Sequence, residues 1–298
     1  MSTESPIVWN ASTPDTAVVN PSFDSPEMKI TVIAATSGWQ LIDFRELWQY
    51  HELLYFLIWR DVKVRYKQTV LGAAWAILQP LFGMIVFTGI FSRLAGIKSD
   101  GVPYAAFVFT GLVPWTFFAN GVTAAGQSLI SQQQLLTKVY FPRLMVPASA
   151  FGAPMLDMLI AFVVLAVVMA ATHVVPTWAA FYLPGLILLT TLAGLGVGLI
   201  LAALTVSYRD FRFVIPFMIQ AWMYISPVVY PVSLFPARYR WLLAINPMAG
   251  LIDTYRAVLL GTPLHSGLLA MSSLSSVVLF IFGLFYFRKV ERRFADVI

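Results

Sequence analysis

The chain has 298 residues, of which 59% are hydrophobic and only 11% are charged, and its mean hydropathy is +0.79. Soluble domains carry about 25% charged residues, so this chain has too little charge to cover a soluble surface and too much apolar surface to be disordered. It contains no cysteine, which excludes disulfides and thiolate metal sites, and its three histidines lie far apart in the sequence. The composition predicts an all-α integral membrane protein that holds no metal.

The first 67 residues divide into two parts. Residues 1–42 begin with a stretch rich in Ser, Thr, Pro and Asp and lack a basic region followed by an apolar core, so we expect a largely flexible cytoplasmic tail rather than a signal peptide. In residues 43–67, polar side chains spaced three or four apart line one helical face, and aromatic and aliphatic side chains line the other. This pattern is typical of a helix lying in the membrane interface, and the alternative is a soluble helix packed on a partner.

Long runs without Asp, Glu, Lys or Arg locate the membrane spans, because one crossing needs about 20 apolar residues. The longest of these runs, between Asp157 and Arg209, is long enough for one crossing and most of another, and turn residues divide it in two. We therefore predict a transmembrane domain at 68–290, followed by a cytoplasmic C-terminus at 291–298. Its six predicted spans lie at about 70–92, 104–128, 147–171, 181–206, 213–230 and 266–287.

The distribution of basic residues predicts the orientation of this domain. With both termini on the same side, most of the 19 Lys and Arg residues fall in the segments on that side. Cytoplasmic segments of membrane proteins carry an excess of Lys and Arg, so both termini are predicted to be cytoplasmic. This asymmetry also accounts for the net charge of +5, and nucleic-acid binding is not needed to explain it.

Two connecting segments have more pattern than a simple turn. The segment 131–146 has a polar start, an apolar centre and a Pro-Arg end, which suits a short exposed helix, although a plain connecting turn is favoured on these grounds alone. The segment 231–262 is too long for a turn and is interrupted by prolines. Short re-entrant helices that dip into the outer leaflet before the last span would fit it, and a loop on the membrane surface is the alternative.

The sequence has no recognisable catalytic motif. No Gly is followed by Lys, so a phosphate-binding P-loop is absent, and no HExxH or GxSxG motif occurs. Asp157 is nearly the only charged residue inside a predicted span, whereas ion-driven transporters usually carry several. We expect Asp157 either to pair within the bundle or to line a polar conduit. If the chain moves a substrate, the energy should come from another polypeptide.

Several segments together resemble the permease subunits of ABC-2-type polysaccharide exporters, and in particular O-antigen exporter permeases. The resemblance covers about residues 40–290 and also extends to teichoic-acid and capsule exporters. The segments are Tyr66-Lys67-Gln68-Thr69-Val70-Leu71-Gly72, Trp75-Ala76, Gln79-Pro80-Leu81, Gly111-Leu112-Val113-Pro114-Trp115, Phe117-Phe118-Ala119-Asn120, Leu136 to Arg143, Tyr208-Arg209-Asp210, Ser226 to Pro231, Asn246-Pro247-Met248 and Tyr255-Arg256.

The resemblance implies a homodimer of six-span subunits in the plasma (inner) membrane, bound to two separate nucleotide-binding ATPase subunits. ATP and Mg would bind to those partners, and no cofactor or catalytic residue is expected on this chain. The substrate implied is a lipid-linked polysaccharide. The resemblance also makes 43–67 an interface helix beside the cytoplasmic entrance and 231–262 a pair of re-entrant gate helices. The implied coupling residues are Gln134, Leu135, Leu136, Lys138, Val139, Tyr140, Phe141, Pro142 and Arg143.

Sugar rings have apolar faces on which aromatic side chains stack, and a conduit for many repeats needs weak, repeated contacts. The candidate lining residues are Trp75, Trp115, Phe117, Phe118, Trp222, Tyr224 and Tyr230, with lipid-facing packing as the alternative for each. Arg60, Lys63, Arg65 and Lys67 would meet either a lipid pyrophosphate or anionic headgroups. Export of a small hydrophobic compound and a membrane enzyme acting on lipid-linked sugars remain the alternative functions.

Overall fold

The computed structural model describes residues 48–67, 74–94, 96, 99–139 and 141–291, without the side chains of residues 237 and 240. The predicted tail at 1–42, the start of the interface helix at 43–47, Tyr140 and residues 292–298 lie outside the described residues. Within the described part the secondary structure is helical. The α-helices are α1 (His51–Lys67), α2 (Ala74–Phe87), α3 (Tyr104–Ser131), α4 (Gln133–Lys138), α5 (Met145–Ser149), α6 (Gly152–Ala171), α7 (Leu183–Ser207), α8 (Phe211–Ile225), α9 (Arg240–Ile245), α10 (Pro247–Leu260) and α11 (Ser266–Glu291).

Five helical segments of the described chain are long and apolar enough to cross a membrane. They include a π-helical extension of α2, the junction of α5 with α6, and a 3-10 turn before α7. Their bounds lie close to five of the six predicted spans, so the assignment as an all-α membrane protein is confirmed. The five segments are Ala74–Leu94, Tyr104–Ser131, Met145–Ala171, Trp178–Ser207 and Ser266–Glu291.

The predicted span at 213–230 differs from the others, because its helix α8 ends at Ile225 after 15 residues. Proline restricts the residue before it to extended backbone, and Ser226, which precedes Pro227, has φ −86° and ψ 142°. The chain therefore leaves the helix five residues before the predicted boundary. Residues 226–230 form a non-helical segment that is largely buried against the bundle.

Neighbouring helices come into close contact at the glycines of α7. A Cβ at Gly196 would lie 2.6 Å from the Leu279 carbonyl of α11, and one at Gly198 would lie 2.8 Å from Ala125 Cβ of α3. Small residues let helix backbones approach each other, and this packing replaces the hydrophobic effect inside a bilayer. Helix α7 therefore packs tightly between α3 and α11.

The bundle has two ends, which we call the first and the second end. The first end holds α4, the turn between α7 and α8, and the end of α11, where Arg143 Nη1 donates to the Glu291 carbonyl over 3.2 Å. The second end holds residues 99–103, 172–178 and 261–265. Ser233 Oγ donates there to Asp100 Oδ1 over 2.8 Å, and Thr177 Oγ1 donates to the Val258 carbonyl.

Candidate functional site

A buried arginine holds the non-helical segment 226–230 in place. Arg256 on α10 is 1% exposed. Its Nη1 donates to the Pro227 carbonyl over 2.7 Å, and its Nη2 donates to the Val228 carbonyl over 2.6 Å. Tyr104 Oη donates to the next carbonyl, Val229, over 2.6 Å. Backbone outside a helix must find partners away from water, and these side chains supply them.

The guanidinium of Arg256 also contacts α3. Its Nε donates to the Phe107 carbonyl over 3.2 Å, and its central carbon lies 3.6 Å from the centre of the Phe107 ring, a cation–π arrangement. A Cβ at Gly111, one turn further on, would lie 2.6 Å from Arg256 Nη2 and 2.8 Å from the Val228 carbonyl. Glycine at this position therefore leaves the room that the arginine occupies.

Asn246 makes a second connection between the helices around this segment. It caps α10 by accepting from the Met248 backbone N–H over 3.1 Å. The same side-chain oxygen accepts from Trp222 Nε1 over 3.0 Å, and Asn246 Nδ2 donates to Ser226 Oγ over 2.8 Å. One side chain thus joins the start of α10, the indole of α8 and the first residue after α8.

The candidate lining aromatics fall into three groups. Trp115, Phe117 and Phe118 of α3 are at most 3% exposed and lie in the hydrophobic core of the chain, so they present no surface to a conduit in this conformation. Trp75 and Tyr224 are more than half exposed. The remaining two, Trp222 and Tyr230, are half-buried, and the Trp222 ring meets Phe118 edge-on at 5.2 Å.

Helix α1 is joined to α6 through Asp157, the carboxylate inside the third predicted span. Asp157 Oδ2 lies 2.6 Å from Arg65 Nη1, and Tyr66 Oη donates to Asp157 Oδ1. Burial and this hydrogen bond raise the pKa of Tyr66 above its usual range, so its phenol keeps the proton that it donates. Gly152 adds a close contact, because a Cβ there would overlap Ile58. Pairing within the bundle, one of the two roles expected for Asp157, is the one that the structure has.

The four basic candidates of α1 have different surroundings. Arg60 pairs with its neighbour Asp61 at 2.7 Å, and Arg65 pairs with Asp157. Lys63 lies 5.1 Å from the centre of the Trp59 ring, and Lys67 is exposed at the end of the helix. Several aromatic residues on or just before α1 are also exposed, namely Trp48, Tyr55, Phe56 and Trp59.

The segment expected to couple to an ATPase contains the short helix α4. Gln134, Lys138 and Val139 are exposed, whereas Leu135 and Leu136 are half-buried against the core at the first end. The prediction that Phe141 is exposed is wrong, because this side chain is only 4% exposed and belongs to that core together with Leu144 and Met145. Pro142 is buried and Arg143 half-buried, so the exposed face comprises α4 and Val139.

Sequence reasoning missed the connection made by Arg256, which lies in the segment 231–262 that was predicted to be re-entrant or on the membrane surface. The available signal was the set of separate motifs that contain Gly111, Ser226-Pro227-Val228 and Tyr255-Arg256. The structure brings these three motifs into contact. It also pairs His265 Nδ1 with Asp253 Oδ2 at 2.9 Å, in a contact that no motif indicated.

Comparison with known proteins identifies the family. The family model described as ABC-2 type transporter matches residues 52–260. The chain is 30% identical to an O-antigen export system permease protein of Myxococcus xanthus, over 79% of this chain and 91% of the relative. It is 27% identical to one from Klebsiella pneumoniae, over 83% and 95%. It is 23% identical to a polysialic acid transport protein of Escherichia coli, over 79% and 92%.

Proposed function

Because this chain belongs to the ABC-2 type transporter family, we propose that it forms the membrane half of an ATP-driven exporter of a lipid-linked polysaccharide. It is a permease subunit and not itself an enzyme, since ATP hydrolysis in such systems lies on a separate subunit. The observation that carries the proposed substrate is that three relatives matched over 91–95% of their length are named for O-antigen export or polysialic acid transport. The plasma (inner) membrane is the proposed location, with both termini in the cytoplasm.

The proposed ATPase docking surface is the exposed face of α4 with Val139, at the first end of the bundle. Gln134, Lys138 and Val139 project from it, and Leu135 and Leu136 join the helix to the core below. Movement of a docked partner would therefore pass to α3 and to the core around Met145. This route requires the first end to be cytoplasmic. That orientation agrees with the one predicted from the distribution of Lys and Arg in the sequence.

The proposed conduit lies between two copies of the chain. Within one copy of the chain, only 6% of the most apolar stretch of Ala74–Leu94 is buried. On α8, the side chains of Phe213, Phe217 and Ile225 are at least 63% exposed. These helices supply a second copy with apolar faces to cover. Trp75 and Tyr224 are the two candidate lining residues that are exposed on these helices, and we assign sugar stacking to them.

Helix α8 is the proposed sixth crossing, completed by the segment 226–230. Its 15 residues span about 22 Å, less than the hydrocarbon thickness of about 30 Å. The segment 226–230 carries the chain onward with its carbonyls bound by Arg256 and Tyr104. Helices α9 and α10, which meet at Asn246, are the proposed re-entrant pair and form the outer gate.

The proposed entrance at the first end uses the basic side chains of α1 that are exposed and lie outside the ion pairs of Arg60 and Arg65. Lys63 and Lys67 project from α1, and we assign the pyrophosphate of the carrier lipid to them. Arg65 is paired with Asp157 and holds α1 to α6, and Arg60 is paired with its neighbour Asp61 on the same helix.

Deletion of the gene in a strain that makes a surface polysaccharide tests the proposal. We expect the polymer to accumulate in the cytoplasm and to return to the surface when the chain is restored with its ATPase. Normal surface polymer in the deletion strain, together with loss of resistance to a small hydrophobic compound, would favour the alternative exporter.

A further inference from the structure

We infer that Gln220 and Tyr224 form a sugar-binding subsite on α8, and that Asn246 is the positioning residue that turns this subsite toward the conduit. Asn246 acts through the indole of Trp222, which lies on the opposite side of the same helix, and need not touch the polymer itself. The inference rests on the proposed function, because its ligand is a pyranose ring of the exported polysaccharide.

The side chains of α8 fall on two opposite faces. The exposed face carries residues spaced three or four apart, namely Phe213, Phe217, Gln220 and Tyr224. The face toward the bundle carries two buried residues and a half-buried one, namely Ile215, Ile219 and Trp222. An α-helix turns by about 100° per residue, so Trp222 and Tyr224 point about 160° apart. A contact that fixes the direction of Trp222 therefore also fixes the direction of Tyr224.

Gln220 and Tyr224 are joined on the exposed face. Gln220 Nε2 donates to Tyr224 Oη over 3.2 Å, and 58% of Tyr224 is exposed. An aromatic ring stacks on the apolar face of a sugar ring, and a side-chain amide can donate to and accept from the sugar hydroxyls. One turn of α8 thus offers both kinds of contact that a pyranose ring makes.

The depth of Gln220 favours a water-filled conduit over lipid. It lies nine residues after Phe211, the first residue of α8, which is a rise of about 14 Å from the first end. That position is near the middle of a hydrocarbon core about 30 Å thick. An amide that faced lipid there would have hydrogen-bonding groups without partners, which costs free energy. In a conduit between two copies, water and sugar hydroxyls supply those partners.

The second half of α8 has few constraints on its rotation. Pro216 lacks a backbone N–H, so the helix loses a hydrogen bond at this residue, and the helix ends shortly before Pro227. None of the residues 220–225 is buried. A specific contact is therefore needed to hold the exposed face of this stretch in one direction.

Trp222 and Asn246 make that contact. The Trp222 ring meets Phe118 edge-on at 5.2 Å, and its Nε1 donates to Asn246 Oδ1 over 3.0 Å. Asn246 is itself oriented, because its Oδ1 also accepts from the Met248 N–H over 3.1 Å and its Nδ2 donates to Ser226 Oγ over 2.8 Å. The indole thus binds a group that is already fixed at the start of α10.

Cysteine labelling of the full complex with its ATPase subunit measures the direction of the exposed face, because this chain contains no cysteine of its own. Tyr224→Cys and Met223→Cys place reporters about 100° apart on α8. A small water-soluble methanethiosulfonate modifies them, and mass spectrometry gives the two rates. Trp222→Phe keeps a ring but lacks the indole N–H. It should lower the ratio of the rate at 224 to the rate at 223 by about fivefold, the shift expected for the loss of one hydrogen bond.

Two substitutions of Asn246 separate its contact with Trp222 from its capping of α10. Asn246→Ser keeps a capping oxygen but is too short to reach the indole. It should lower the ratio as Trp222→Phe does, and the double variant should show no further change. Asn246→Asp keeps the acceptors for the cap and the indole, so it should keep the wild-type ratio.

Three results would overturn the positioning role. These are a wild-type ratio in Asn246→Ser, faster modification at both reporters in Trp222→Phe, and a ratio that responds to Tyr230→Phe instead. Tyr230 Oη contacts the Tyr224 and Ile225 carbonyls and is the alternative anchor of this helix end. No polymer is present in this measurement, so its result is independent of what the chain exports.

Gln220→Leu tests the subsite in the deletion strain restored with the variant chain. Leucine suits lipid better than glutamine does, so a lipid-facing residue 220 predicts normal export, whereas the subsite predicts a several-fold loss of surface polymer. Phe213→Leu, on the same face nearer the first end, is the matched control and should export normally. Full export by Gln220→Leu would overturn the subsite and leave the proposed function intact. Normal export in the deletion strain itself would contradict the proposed function.

Discussion

Gly111 and Arg256 occupy one contact point between α3 and α10, where a Cβ at residue 111 would lie 2.6 Å from Arg256 Nη2. The same Cβ would lie 2.8 Å from the Val228 carbonyl, which accepts a hydrogen bond from that nitrogen. Because Gly111 has no side chain, Arg256 can donate its hydrogen bond to the Val228 carbonyl. Two helices and the segment 226–230 depend on this contact.

Gly111→Ala should destabilise the purified protein. The new methyl group must displace a guanidinium that is held on several sides, and overpacking of this kind costs about 1–3 kcal/mol. Thermal unfolding in detergent measures the effect as a lower Tm. Gly267→Ala is the control, because a Cβ there meets nothing within 4 Å and alanine is favoured over glycine in a helix, so its Tm should not fall below that of the wild type. An unchanged Tm in Gly111→Ala would contradict the close contact.

Arg256→Met should lower the Tm further and abolish export, because it leaves the Pro227 and Val228 carbonyls without their donors. Hydrogen bonds to a charged group contribute about 1.5–3 kcal/mol each. Arg256→Lys keeps the charge but lacks the planar fork that reaches both carbonyls, so we expect partial recovery only. Arg238→Met, on an exposed arginine of the same end, should behave as wild type. Full export by Arg256→Met would show that segment 226–230 needs no such support.

Asp157→Asn and Arg65→Met should show coupled effects on stability. Their ion pair is partly exposed, with 40% of the Arg65 side chain and 20% of the Asp157 side chain accessible, so the coupling energy should be about 0.5–1 kcal/mol. Denaturant unfolding of the two single variants and the double variant measures it. A control double-mutant cycle combines Arg65→Met with Asp210→Asn instead of Asp157→Asn. In that cycle the effects of the two substitutions on the free energy of unfolding should be additive. Additivity in both cycles would mean that α1 is held by other contacts.

Val139→Asp should prevent co-purification of the ATPase subunit and leave the fold of the permease unchanged. Val139 is 50% exposed, so a carboxylate there is not buried in the free chain, but it would be buried without a partner in a docked complex. Affinity purification of the co-expressed subunits measures binding. Val175→Asp, on an 80% exposed valine at the second end, should bind the ATPase normally. If both variants bind equally well, the docking surface is elsewhere.

The sequence predicts five of the spans well, because long uncharged runs have few other uses in a chain of this composition. The same reasoning misplaces Arg256, since it treats a charged residue as a mark of the water-exposed side. In the structure, the Ser226-Pro227 break frees carbonyls that satisfy the guanidinium inside the bundle. Helical periodicity also cannot tell that Phe118 faces the core and Tyr224 faces outward, because that depends on which helices become neighbours. Asp157 required a partner on general grounds, but Arg65 lies 92 residues away and only the fold identifies it.

The central claim is that this chain is a permease that cannot drive transport without a separate ATPase subunit, and reconstitution tests this claim most directly. Proteoliposomes containing the chain and its ATPase subunit should move a lipid-linked polysaccharide across the bilayer only when ATP is added. Vesicles that contain the chain alone should move none with or without ATP. Sustained, directional transport by the chain alone would contradict the account.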